Sequence, residues 1–267
     1  MSQITEVLPR VLFSISLSFI SSPLFAGQAP SSAAQGQPAG SGTTDLSSQA
    51  TDPTASLMTF NFIGDTRTSF HGLDEKGLEF EFQSIIPYRL WGKSNILRTI
   101  VPYQATGPGT EGLKSVAVAN LTVLPASWGR WGVGPVTSLE QSDSDQTSKF
   151  LIGPAAGAVV PVSRRLLLGV FNQNLFATGV GITQIQPIVA FQLGSGWALS
   201  AGDLQITYDW EKDEWVQVPV GFQIGVVRPI AGQPFRFSVN PQWNLKDITG
   251  AVESSVIFTV ALLIPAR

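Results

Sequence analysis

The chain has 267 residues, of which only 13% are charged, with a formal net charge of −3. That balance excludes a basic nucleic-acid-binding surface, and the absence of cysteine excludes a disulfide scaffold or thiol chemistry. Glycine (26) and proline (18) are abundant and the mean hydropathy is slightly positive, yet past residue 26 no run reaches the roughly 18 apolar residues of a membrane helix.

Near the N-terminus, Arg10 precedes the apolar run Val11 to Ile20. The pattern predicts an export signal over residues 1–26, cut after Ala26. Residues 27–53 are Ser, Ala, Gln, Gly and Pro with little to bury, which predicts a disordered low-complexity segment. Residues 54–267 then form the folded domain.

From Ala55 to Ile63, Met58, Phe60 and Phe62 share one face. A polar loop from Gly64 to Gly77 carries His71. Between Leu78 and Ile86, Glu79, Glu81 and Gln83 alternate with Phe80 and Phe82. Further runs cover 95–104, 113–124, 130–140, 150–160, 165–175, 182–191 and 197–207, with a Ser/Asp-rich loop (Asp143, Asp145) from Gln141 to Lys149. The clearest alternation comes last. Val216, Val218, Val220 and Phe222 alternate with Gln217 and Gln223. Phe235, Phe237 and Val239 alternate with Arg236, Ser238 and Asn240, and Val256 to Ile264 keeps one apolar face.

A period of two means strands with one greasy and one wet face. Runs of about 9–11 residues suit a tilted strand crossing a bilayer and exceed the usual soluble strand of about 5–6. The predicted fold is all-β: an antiparallel up-and-down transmembrane barrel of about twelve strands, an even number as in bacterial single-chain barrels, with the wet face inside. Trp91, Trp128, Trp131, Trp197, Trp210, Trp215 and Trp243 lie near strand ends, as the aromatic girdles of a barrel do. The prolines in or beside these runs, Pro87, Pro102, Pro125, Pro135, Pro154, Pro187, Pro219 and Pro229, are expected at bulges or strand ends, because proline removes a ladder donor.

The inward polar series predicts a pore lining of Glu79, Glu81, Arg98, Gln184, Gln186, Asp203, Gln205, Arg236, Asn240 and Gln242, groups that tune which solutes pass. Glu79 and Glu81 could do acid–base work or hold calcium. A wet lumen wall, paired with Arg98 or Arg236 across the interior, is the preferred reading. A hydrolase would need a base beside a nucleophile and a third group to orient the base. The one histidine, His71, has Ser69 two residues before it. Outer-membrane phospholipases place their serine two residues after the histidine, where this chain has Leu73. His71 is read as an exposed loop residue, and no catalytic, metal or cofactor site is predicted.

Several short motifs follow one another in a familiar order: Leu97, Arg98, Val101, Pro102, Tyr103; Trp131 to Pro135; Gly153, Pro154, Ala155; Asn172, Gln173, Asn174; Gln186, Pro187, Ile188; Gly196, Trp197; Trp215 and Val218 to Gly221; Gly232, Gln233, Pro234; and the ending Leu262 to Pro265. Over roughly residues 55–265 the chain resembles a family of bacterial outer-membrane channels linked to the meta-pathway of phenol degradation. The resemblance implies a barrel in the bacterial outer membrane that passes small molecules, hydrophobic or aromatic ones among them. Its expected partners are outer-membrane lipid, the solute and the barrel-insertion machinery. The alternative is a non-conducting barrel serving structure or adhesion.

Overall fold

A computed structural model describes residues 43–141 and 148–265; the predicted signal, most of the low-complexity segment, and Asp143 and Asp145 lie outside them. Twelve antiparallel spans follow one another around a single sheet. They are β1 (Leu57–Phe70), β2 (Gly77–Leu90), β3 (Lys93–Thr106), β4 (Ser115–Ala126), β5 (Gly129–Gln141), β6 (Ser148–Pro161), β7 (Leu166–Ala177) and β8 (Val180–Gly194). Next come β9, in two pieces (Trp197–Ser200, Ile206–Asp209), and β10, in three (Glu214–Gln217, Pro219–Gly221, Gln223–Ile230). β11 (Gln233–Asn244) and β12 (Val252–Pro265) complete the set, and β12 pairs with β1 from Leu57↔Pro265 to Phe70↔Val252. The sheet is closed, so it has no edge strand to protect.

The two ends differ. At the end holding Leu57 and Pro265, the strands are joined by tight links such as Trp91–Gly92, Ser195–Gly196 and Ala231–Gly232, in which both residues have positive φ. Such turns match the right-handed twist of paired strands, and glycine supplies the second left-handed position without strain. At the opposite end the links are mostly longer, as between Phe70 and Gly77 and between Asn244 and Val252. We call these the turn end and the loop end.

Register fixes the faces. Phe62 stands opposite Val260 on one side and Phe82 on the other. Phe235 stands opposite Leu262, and Phe62, Phe80, Phe258 and Ile152 are all exposed. The outward series is apolar or uncharged along the spans; its two charges, Lys93 and Arg228, both lie toward the turn end. Trp91, Trp128, Trp131 and Trp197 surround the turn end, and Trp210, Trp215 and Trp243 lie toward the loop end, all exposed. The strands are longer than the expected 9–11 residues. Most have 12 to 15, because they run on through both girdles.

The prolines depart from expectation as well. Pro135 and Pro154 sit inside β5 and β6, directly opposite each other on the outer face. Each leaves a gap in the ladder on its far side: pairing of β4 with β5 skips from Ala119↔Val136 to Thr122↔Val133, and pairing of β6 with β7 skips from Ile152↔Phe176 to Ala155↔Gln173. Proline has no N–H to offer there. The preceding glycines permit the resulting close approach. A Cβ on Gly134 would lie 1.8 Å from the Asn120 carbonyl oxygen, and one on Gly153 2.0 Å from that of Asn174.

Two features were not legible in advance. Within the 27–53 segment expected to be disordered, Thr43–Ala50 form a helix, α1, with Leu46 buried in an apolar cluster of Ala55, Leu57, Val227, Ala261 and Leu263 inside the turn end. Its neighbours are tied to the wall. Gln192 Nε2 donates to Thr51 Oγ1 at 3.0 Å, Arg236 Nη1 donates to the Ala50 carbonyl at 3.2 Å, and Arg130 ion-pairs with Asp52. Second, the interior is not polar throughout. Ala119, Val136, Leu151, Ala155, Phe171 and Leu175 form a buried apolar cluster along the inner face of β4 to β7.

Candidate functional site: the barrel lumen

The inner faces of β1–β4 and β7–β12 enclose a cavity of about 150 Å³, closed toward the turn end by Gln49 to Pro53 and Ala55. Its walls are of two kinds. Asn61, Gln83, Gln186, Asp203 and Gln223 present polar groups, while Ile63, Ile85, Ile96, Leu121, Phe171 and Ile188 present apolar ones. Two arginines, Arg98 and Arg236, reach into the same space.

The polar groups form chains of hydrogen bonds. Asn61 Nδ2 donates to Gln83 Oε1 at 2.8 Å, and Gln83 Nε2 reaches Glu81 Oε1 at 3.5 Å. Arg98 Nη1 donates to Gln186 Oε1 at 3.4 Å, and Gln186 Nε2 donates to Asp203 Oδ1 at 2.6 Å. Across the lumen Arg236 Nη2 donates to Gln223 Oε1 at 2.6 Å, and Gln223 also accepts from Ser200 and donates to Ser238, both at 3.1 Å. Asp203 is carried inward by residues 201–205, which interrupt β9. The inward fold packs Gly202 against Asn240, where a Cβ would meet the side-chain amide at 2.1 Å.

Of the ten residues predicted to line the pore, Arg98, Gln186, Asp203 and Arg236 border this cavity. Glu79, Glu81, Gln184 and Gln242 have inward register outside it. Glu79 is held by Arg67 Nη2 at 2.6 Å, with Asp65 3.2 Å from Arg67 Nε; neither Arg98 nor Arg236 is its partner. Gln184 accepts from Gln173. Asn240 is inward but only 1% exposed beneath the 201–205 segment, so it faces packed side chains and not open lumen. Gln205 lies in that segment, where no pairing assigns a face. The predicted lining left out Gln83 and Gln223, although both were read as polar members of the alternation, and passed over Asn61 and Arg67, which follow it too, and the α1 segment, which has no such signal.

His71 is not an exposed loop residue. Its side chain is 13% exposed, with Nδ1 3.3 Å from Asp247 Oδ1 and Nε2 3.3 Å from the Asn244 carbonyl. The Ser69 hydroxyl is bonded to Ser254 Oγ at 2.6 Å. The imidazole therefore joins β1 to the β11–β12 loop, and its second nitrogen meets a carbonyl where a hydrolase would need a nucleophile's hydroxyl.

Comparison with protein families and with curated proteins gives no match. Among solved structures the chain is similar to the KdgM porin in complex with disordered oligogalacturonate: 9% identity, a match over 78% of this chain and 99% of that one, and a TM-score of 0.46. It is also similar to outer membrane phospholipase A from Escherichia coli, at 13% identity over 77% of this chain and 92% of that one, with a TM-score of 0.46. What stands on the chain's own register is its architecture: an all-β, closed, antiparallel barrel of twelve strands, of the kind found in bacterial outer membranes.

Proposed function

We propose that this chain is a bacterial outer-membrane channel for small molecules. The observation that carries the reading is the contrast between the two faces of one closed sheet. The outer face carries no charge between its two rims, Lys93 and Arg228 lying at the turn-end rim, and is bounded by tryptophans, while the inner face holds a cavity with polar and apolar walls. An uncharged outer band belongs in hydrocarbon, and charged groups inside belong beside water. The turn end, with its short links, faces the periplasm and the loop end faces outward, the usual orientation of such barrels. Insertion requires the barrel-insertion machinery. The solutes are small hydrophobic or aromatic molecules, as the resemblance to the phenol-degradation channels suggests, and their passage is passive. The chain acts without a catalytic step: Ser69 and His71 have other partners, and the carboxylate of Glu79 is engaged by Arg67.

The second reading is a non-conducting structural or adhesive barrel. It is favoured by the α1 segment, which packs inside the turn end, and by the apolar fill of β4 to β7. Single-channel recording of the refolded chain in a planar bilayer separates the two. Steady conductance whose cation preference falls in Glu81→Gln supports the channel; a folded barrel that stays silent over a wide voltage range, with and without aromatic solutes, sinks it.

A further inference from the structure

Arg98 stands in unusual company. On β3 its inward neighbours are Ile96 and Ile100, and the residues paired with it are Ile85 on β2 and Ala119 on β4. Leu121 is paired with Ile96. The guanidinium therefore rises from an aliphatic floor. Its recorded partner is the neutral Gln186 carbonyl at a long 3.4 Å. The Nε–H is buried and has no acceptor. Among the described residues no carboxylate oxygen lies within 4 Å of it.

The nearby acids are otherwise placed. Asp203 accepts from Gln186 and stands one side chain removed. Glu81 is paired with Pro102, four positions from Arg98 along β3, and attracts the guanidinium through space without bonding to it. Arg236 differs from Arg98, because two of its nitrogens already have acceptors. Arg98 is half-buried, and its one buried donor, Nε–H, is unfilled; leaving such a donor without an acceptor is costly, and a carboxylate offers the fork that a guanidinium matches.

We infer that the lumen cavity is a binding site for a small carboxylate carried on an apolar body, its carboxylate on Arg98 and its body on Ile85, Ile96 and Leu121. This deepens the channel reading by naming the solute's chemistry. A neutral hydrocarbon would leave Nε–H without a partner, and a small hydrophilic acid would leave the aliphatic floor unused. Only a molecule with both parts satisfies both walls.

The test is equilibrium dialysis of the full-length barrel in detergent against radiolabelled benzoate, its neutral isostere benzamide, and acetate. Folding is verified by heat-modifiable gel migration, and empty micelles correct for partition. Benzoate is expected to bind about tenfold or more tighter than benzamide, the scale of one charge-assisted hydrogen bond, and tighter than acetate. In Arg98→Gln benzoate should fall to the benzamide level, whereas Arg98→Lys should keep part of the preference. The inference is overturned if benzamide binds the native barrel as well as benzoate does, or if a folded Arg98→Gln barrel keeps the preference. If Arg98→Gln does not fold, the comparison in the native barrel decides alone. Because dialysis needs no passage, conductance without benzoate preference sinks the site and leaves the channel. Benzoate preference in a barrel that never conducts does the reverse.

Discussion

The segment packed in the turn end gives the most direct handle on the proposed channel. Leu46 is 8% exposed and touches the cluster of Leu57, Val227, Ala261 and Leu263. Truncating a buried leucine to alanine costs about 2–5 kcal/mol. An eight-residue helix at an open mouth can relax around the hole, so the low end, about 2 kcal/mol, is the better figure. The Arg130–Asp52 pair adds less, since Arg130 is 40% exposed and an exposed pair is worth about 0–1 kcal/mol. At about 1.4 kcal/mol per tenfold, Leu46→Ala is predicted to lower the ratio of seated to displaced segment about 30-fold. Two readouts should move together: more time in a higher-conductance state, and faster cleavage near residues 50–53 by a protease added on the turn side. Removing residues 43–53 altogether should fix the higher state. If Leu46→Ala refolds with native heat-modifiable migration and neither readout changes, the segment does not govern the mouth and the docking argument fails.

Other outcomes are as specific. Phe62→Lys places a cation near the middle of β1 on the outer face, where Phe62 is 59% exposed; it should cost about 2–4 kcal/mol in urea titrations of refolding into lipid vesicles, and no loss would mean that this face does not meet lipid. Gly134→Val should lower the refolded yield sharply because its Cβ meets the Asn120 carbonyl at 1.8 Å, while Gly64→Ala, whose nearest neighbour is 4.0 Å away, should refold normally. Arg67→Gln leaves Glu79 and Asp65 without their cation. The lumen then gains one net negative charge, and reversal potentials in a salt gradient should shift toward cation preference by at least a few millivolts; a shift toward anions would refute the inward placement.

How much could be read in advance depended on contrast between neighbouring positions. On β2 and β11 large apolar residues alternate with polar ones, so Phe235 against Arg236, or Phe80 against Glu79, gave the face at once. On β5 to β7 both faces are apolar. Val136, Leu151 and Ala155 point inward while Val133, Ile152 and Ala156 point outward, and hydropathy alone cannot separate them. The inner apolar cluster was therefore invisible. Helix α1 failed to show for a different reason. A short helix with one strong apolar residue, Leu46, has no stability of its own and is held by what it buries. The inward fold of 201–205 likewise depends on the glycine at 202 meeting Asn240, some forty positions away in sequence. As for the prolines, the rule that proline ends pairing was right locally, but the gap fell on one side of each strand and the strand continued past it.

The two outward charges, Lys93 and Arg228, sit on one rim, with the Arg228 guanidinium 5.9 Å from the centre of the Trp197 ring. Among the described residues, the outward strand positions toward the opposite rim carry no charge, only aromatic rings such as Trp210, Trp215 and Trp243. The belt between is smooth, so nothing in it resists rotation about the barrel axis. Depth is another matter. Drawing the cationic rim into hydrocarbon would strip two ions of their hydration, whereas sliding the loop-end ring of tryptophans outward costs far less. In a bilayer thicker or thinner than the belt, the cationic rim should keep its level at the phosphate layer. The mismatch would then be taken up by tilt and by movement of the loop-end rim.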